Sequence, residues 1–245
     1  MCGLECDSPE RVWLYSITCC VEKGQVEIAR ILIERGANVT AWDKHGFTSL
    51  HLASQTGQVD VARMLIERGA NVAAQNRDRS TPSHLASKTG QVDIVPMLIE
   101  HGADVTVRNK FGSTPLHLAS QEGQVRIARM LIERGADVTA RSNYGCTSLH
   151  LASKMGQVDA ALVLIDNGAD VIARSDHGST SLHLASIKGV VGVACLLLEY
   201  VADVTAHNNE GKTPFTFCVR PTTMGSGVDR YVEVASMPQT WRRHQ

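Results

Sequence analysis

Apolar and polar positions recur along this chain in two kinds of short run. In QVRIARMLIERG, Gln124–Gly135, the apolar residues Val125, Ile127, Ala128, Leu131 and Ile132 fall close to helical spacing, with charged residues between them. That spacing predicts an amphipathic helix, and Gly135 suits the left-handed conformation that ends one. The run before it, TPLHLAS at Thr114–Ser120, predicts a shorter helix with Thr114 as its N-cap, Pro115 as its first residue and Gly123 as its stop. Two short antiparallel helices joined by a tight turn result.

The short run returns as TSLHLAS at Thr48–Ser54, TPSHLAS at Thr81–Ser87, and TSLHLAS again at Thr147–Ser153 and Thr180–Ser186. His51, His84, His117, His150 and His183 are each 33 residues apart, and Gly57, Gly90, Gly123, Gly156 and Gly189 keep the same step. So do Gly36, Gly69, Gly102, Gly135 and Gly168. A period of this length marks a solenoid, in which each unit buries its apolar faces only against its neighbours.

The phrase GSTPLHLASQEGQVRIARMLIERGADVTA, Gly112–Ala140, resembles the ankyrin repeat throughout. The match covers residues 10–42, 43–75, 76–108, 109–141, 142–174 and 175–207, with a seventh unit that begins at Asn208 and breaks off after Phe215. The resemblance implies an all-α repeat solenoid of helix-turn-helix units with hairpin-like fingers, spanning 10–215 between an N-terminal extension, 1–9, and an irregular C-terminal tail, 216–245. Within a unit the threonine caps the first helix, and the histidine hydrogen-bonds neighbouring backbone that would otherwise be buried without a partner. In the first unit, Trp13 and Tyr15 read as packing at the end of the array.

Several units depart from the pattern. The unit 76–108 has Arg79 where others have Gly46, Gly112 or Gly145, Ser83 where they have leucine, and Pro96 inside the predicted second helix. A lost buried leucine costs about 2 to 5 kcal/mol and an interior helical proline about 3 kcal/mol, so this unit is expected to be the weak layer. Val201 stands where Gly69 and Gly135 stand, a strained place for a β-branched residue, and the sixth unit is expected to fray there. Many ankyrin units carry a hydroxylatable Asn after their GADV; here Thr40, Ala73, Thr106, Thr139, Ile172 and Thr205 occupy that place, so this modification is not expected.

Composition narrows the chemistry. In 245 residues, 43% hydrophobic but only 4% aromatic, the core must be built of Leu, Ile, Val and Ala. A formal net charge of −1 supplies no long-range field for nucleic acid or an anionic membrane. Seven cysteines, an odd number without CxxC pairs, argue for free thiols in a reducing compartment, and the N-terminus lacks the apolar run of a signal peptide. A cytoplasmic location, with the nucleus as alternative, follows. The histidine column cannot converge on a metal: helical layers pack about 8–10 Å apart, whereas ligands approach one ion within about 2 Å. Ser83 beside His84 lacks a third group and an oxyanion turn, and phosphate-loop and dinucleotide signatures are absent. Glu34, Glu67, Glu100 and Glu133, beside Arg35, Arg68, His101 and Arg134, read as a solvated face. Neither a catalytic residue, a cofactor nor a metal is expected.

What remains is a surface. Variation between units concentrates in the fingers, at Trp42, Lys44, His45, Phe47, Arg77, Arg108, Lys110, Phe111, Arg141, Tyr144, Arg174 and His177, and at the ends of the first helices, at Gln55, Lys88, Gln121, Lys154 and Met155. By resemblance these line the concave groove through which ankyrin arrays bind proteins, and exposed aromatic and Arg side chains dominate interface energies. Arg108, Arg141 and Arg174 share one repeat position and form a ladder suited to an acidic peptide, with a solvated row as the plain alternative. The expected function is a monomeric, non-catalytic scaffold or adaptor that binds a partner protein. The break after Phe215 raises a second reading, a fragment or regulatory part of a longer signalling protein. A third, an enzyme using the tail, has only Cys218, Asp229, Glu233 and His244 to draw on.

Overall fold

The computed structural model describes residues 17, 20, 21 and 23–218. Among them twelve helices follow in order: α1 (Val26–Glu34), α2 (Ser49–Thr56), α3 (Val59–Glu67), α4 (Pro82–Thr89), α5 (Ile94–Glu100), α6 (Pro115–Gln121), α7 (Val125–Glu133), α8 (Ser148–Met155), α9 (Val158–Asp166), α10 (Ser181–Lys188), α11 (Val191–Glu199) and α12 (Pro214–Cys218). Trp13, Tyr15, Met1–Pro9 and the tail residues Asp229, Glu233 and His244 lie outside the described residues.

The TxLH run makes each first helix for the reason its residues suggest, with one addition. Thr48, extended at φ −93° and ψ 166°, caps α2, and His51 three residues on returns a hydrogen bond from the Thr48 backbone N–H to its own Nδ1 at 3.1 Å. This is a capping box in which histidine takes the place of the usual Glu or Gln, and it recurs at Thr81–His84, Thr147–His150 and Thr180–His183. Gly57 then ends α2 at φ 79°, where a side chain would be strained.

The chain divides into two compact units, Met1–Pro115 with Glu133–Gly135 and Leu116–Ile132 with Ala136–Gln245. In the first, α2 packs on α4, α1 on α3 and α3 on α5, while each first helix also packs on its own second helix. The second has the same arrangement, with α8, α10 and α12 in one layer and α9 and α11 in the other. Leu50 in the first unit and Leu116, Leu149 and Leu164 in the second are fully buried. Each leucine so placed contributes about 2 kcal/mol through apolar area removed from water.

Pro96 and the seventh unit turn out differently from the sequence expectation. Pro96 is not in a helix interior: α5 starts at Ile94 and has seven residues, where α3 and α9 have nine. Val92 and Asp93 form a turn instead, and Ile94 and Val95 both donate to the Gln91 carbonyl at 3.1 and 3.2 Å. Proline therefore falls in the first turn, where its missing N–H breaks no intrahelical bond, and most of the expected penalty disappears. At Val201 the sixth unit keeps the turn of the other units, in the left-handed conformation that is strained for a β-branched residue. That residue adopts φ 62°, and the bonds Val201 N–H to Leu198 O and Ala202 N–H to Leu197 O, 3.2 and 3.0 Å, reproduce those at Gly69 and Ala70. The seventh unit continues past Phe215, because α12 runs through Cys218.

Ser83 does occupy a leucine place. It is buried, and its Oγ has no hydrogen-bond partner among the described residues.

Candidate functional site

The fingers are tight turns rather than strand pairs; among the described residues the bridge Trp42–Thr48 is the only ladder pairing. Each closes on itself by a backbone bond between its first and fifth residues, as from Asp43 N–H to Phe47 O at 2.9 Å and from Asn109 N–H to Ser113 O at 2.9 Å. A side chain at the first residue reinforces five of them: Asp43, Asn76, Asn109 and Asn208 each accept two backbone N–H groups through Oδ1 at 2.8–3.0 Å, and Ser142 Oγ accepts those of Tyr144 and Cys146 at 3.4 and 3.3 Å. These Asx and Ser turns mimic a backbone turn and set the finger's direction. Sequence reasoning passed over them, although an Asp or Asn at this one repeat position was visible.

The histidine column clips each finger to the helix before it. His51 Nε2 donates to the Ser80 carbonyl at 3.0 Å and His84 Nε2 to Ser113 at 3.0 Å in the first unit. In the second unit His117, His150 and His183 reach the carbonyls of Cys146, Ser179 and Lys212 at 3.1, 3.1 and 3.0 Å. At His51, His84, His150 and His183, Nδ1 accepts from the threonine N–H, so that imidazole is neutral with its proton on Nε2. Burial pushes His51, His150 and His183 below the usual histidine value, against the raising effect of their backbone hydrogen bonds. Every histidine of the column thus has a structural partner, and no group of three His, Cys, Asp or Glu among the described residues is placed to hold a metal.

Neighbouring fingers are also joined directly. Arg77 N–H donates to His45 O at 2.9 Å and Lys110 N–H to Asp78 O at 2.7 Å. In the second unit Asp176 N–H donates to Tyr144 O at 3.1 Å and Asn209 N–H to His177 O at 3.0 Å.

The residues expected to bind a partner fall into distinct groups. Trp42, Phe111 and Tyr144 are exposed, as are Lys44, His45, Arg77, Gln55, Lys88, Lys154, Met155 and His177. Phe47 is half-buried, its ring tilted against that of His51 with centroids 5.6 Å apart, which makes it part of the packing. Gln121 is half-buried and donates to Glu122 at 3.0 Å. Lys110 lies 3.8 Å from the Asp78 carboxylate. Two arginine positions tie neighbouring fingers together, Arg141 donating from Nη2 to Arg174 O at 2.8 Å and approaching Asp176 at 3.4 Å, and Arg174 donating to His207 O; Arg108 Nε donates within its own finger, to Gly112 O at 3.1 Å.

Two further roles appear only in three dimensions. Gln91 donates to Gln55 O at 3.2 Å and lies so close over Gly57 that a Cβ there would stand 2.3 Å from its Oε1; Gln157 sits over Gly123 in the same way. Thr106, Thr139 and Thr205, at the place of the hydroxylatable Asn, donate their hydroxyls to Asp104, Asp137 and Asp203 at 2.6–2.7 Å. The Thr139 and Thr205 hydroxyls and N–H groups hold the Asp137 and Asp203 carboxyls below the usual carboxylate range.

Among the described residues no helix is long and apolar enough to cross a membrane. A family model described as ankyrin repeats in three copies matches residues 14–76 and 84–175. Two models described as ankyrin repeats in many copies match residues 164–218 and 56–99. No curated protein matches the chain.

Proposed function

Because the chain belongs to the ankyrin-repeat family, we propose that it acts without catalysis, as a scaffold or adaptor that binds a partner protein through its fingers and the ends of its first helices. Ankyrin repeats are generally protein–protein interaction modules and typically non-catalytic. The observation that carries the reading is the contrast within each repeat. TxLH, its glycines and its turn-closing Asx or Ser side chains are spent on the fold, whereas Trp42, Phe111 and Tyr144 stand 70%, 47% and 58% exposed on the fingers. Large aromatic side chains left in water are the groups from which interface hot spots are built. A cytoplasmic location and a monomeric state belong to the same reading.

The test is a pull-down that compares the intact chain with a variant carrying Trp42, Phe111 and Tyr144 all changed to alanine, the two matched for helicity. A protein recovered only with the intact chain supports the reading. Recovery of the same proteins by both moves the binding surface off the fingers.

A further inference from the structure

Resting on that reading, we infer that the three fingers of the first unit, 43–47, 76–80 and 109–113, form a docking face for an acidic, extended segment of the partner. These fingers hold four cations, Lys44, Arg77, Arg79 and Lys110, and two carboxylates, Asp43 and Asp78. Both carboxylates are engaged: Asp43 Oδ1 accepts the N–H groups of His45 and Phe47 at 2.8 Å each, and Asp78 lies 3.8 Å from Lys110. No ion pair holds Lys44, Arg77 or Arg79 among the described residues. The three fingers of the second unit, 142–146, 175–179 and 208–212, have the opposite balance, with Asp176 and Glu210 against Lys212 alone.

Backbone strain singles out the same place. Five described fingers put glycine at their fourth residue, at φ between 66° and 80° in Gly46, Gly112, Gly145, Gly178 and Gly211, whereas the finger 76–80 puts Arg79 there at φ 56°. Its turn is otherwise unchanged, with Arg79 N–H bonded to Asn76 O at 2.8 Å against 2.9 Å for Gly46 N–H to Asp43 O. A long cationic side chain held in a conformation that glycine adopts freely is a cost to folding. An exposed guanidinium on the fingertip is what that cost obtains.

The spacing defines the occupant. Consecutive fingers are locked side by side by the Arg77–His45 and Lys110–Asp78 backbone bonds, at a repeat distance of about 10 Å set by helix packing. In the polyproline II conformation a chain advances about 3.1 Å per residue with three residues per turn, so one carboxylate in every three residues lies on the same side and meets successive fingers. Trp42, exposed at the base of the first finger, offers an apolar contact at one end of this track. Charge complementarity of this kind fixes register and partner choice. With a net charge of −1 over the whole chain, the attraction is local to the face, which favours a short acidic segment over a nucleic acid.

The experiment uses the full chain and a fluorescein-labelled peptide of about fifteen residues with aspartate at every third position and a leucine at one end, long enough to span the three fingers. Binding is followed by fluorescence anisotropy at low and at physiological salt. The expected result is salt-sensitive binding that weakens about three- to ten-fold in Arg79→Gly, and again in Lys44→Gln with Arg77→Gln. Arg79→Gly restores the glycine found in the other fingers, so its melting temperature should rise as its affinity falls. Equal affinity in Arg79→Gly overturns the inference, as does equal binding of the peptide with asparagine in place of aspartate. Tighter binding of an oligothymidylate of equal charge overturns it in favour of a polyanion site. If the aspartate peptide does not bind while the pull-down still depends on Trp42, Phe111 and Tyr144, the acidic segment is wrong and the protein-binding reading stands.

Discussion

His150 donates from Nε2 to the carbonyl oxygen of Ser179, 3.1 Å away and 29 residues further along the chain, while Thr147 N–H donates to its Nδ1 at 3.2 Å. The same carbonyl also accepts the N–H of Ser175 at 2.9 Å, so one oxygen closes the finger and fastens it to the preceding helix. A proton added to Nδ1 would face the threonine N–H, donor against donor. The bond from Nε2 tolerates an added proton, but the capping-box bond accepted by Nδ1 requires neutral histidine.

Stability should fall as the pH is lowered through the histidine range. The unfolded chain binds protons at about pH 6.5, whereas burial holds His51, His150 and His183 neutral to lower pH in the fold. Below about pH 6.5 the unfolded state thus binds more protons, and acid shifts the balance towards it. The charges near these rings, Asp43 at His51, Arg141 and Asp170 at His150, and Arg174 and His207 at His183, adjust each value without reversing its direction. Urea midpoints measured between about pH 7 and pH 5 should decline. His150→Gln, which keeps a capping-box side chain, should make the decline shallower. The aspartates act in a separate window: the stability that Asp137 contributes through its lowered value is lost only below about pH 4.

Val201→Gly should raise stability by about 1 kcal/mol, because the residue sits at φ 62° and is 83% exposed, so strain is relieved and little packing is lost. Thermal melting checks this, and an unchanged melting temperature would mean that the backbone there is not strained.

Pro96→Ala should change stability by less than about 1 kcal/mol, not by the roughly 3 kcal/mol of an interior helical proline, since α5 starts at Ile94. A gain near 3 kcal/mol in denaturant unfolding would show that α5 normally extends back to Val92.

Ser83→Leu should stabilise the fold by about 1–2 kcal/mol, replacing a buried, unpartnered hydroxyl with the side chain found at Leu50 and Leu149. Hydrogen exchange should show the largest gain in protection within residues 76–108. A loss of stability would show that the neighbouring side chains have closed over the site and that leucine overpacks it.

The repeat was legible because its period is carried by residues with strict local demands: a threonine cap, a histidine three residues on, and glycines at positive φ. The shift of α5 was not legible, because a proline in a helical pattern does not say whether the helix kinks around it or begins later. For the surface, sequence variation found the exposed Trp42, Phe111 and Tyr144, but it also chose Phe47, which lies against His51, and Arg141 and Arg174, whose guanidinium groups reach the carbonyls of Arg174 and His207. A position can vary from repeat to repeat and still be structural, since a partner 33 residues away supplies only a backbone oxygen and places no demand on its own side chain.

Because each histidine addresses a backbone carbonyl at a constant offset, the joint is indifferent to which repeat provides the acceptor. Excision of residues 142–174 would bring the Ser179 carbonyl to His117 in place of that of Cys146, and a duplicated repeat would be accepted in the same way. A deletion out of phase would strand a buried donor and a buried acceptor together. Whole repeats can thus be added or removed with every such joint preserved and without any new packing solution.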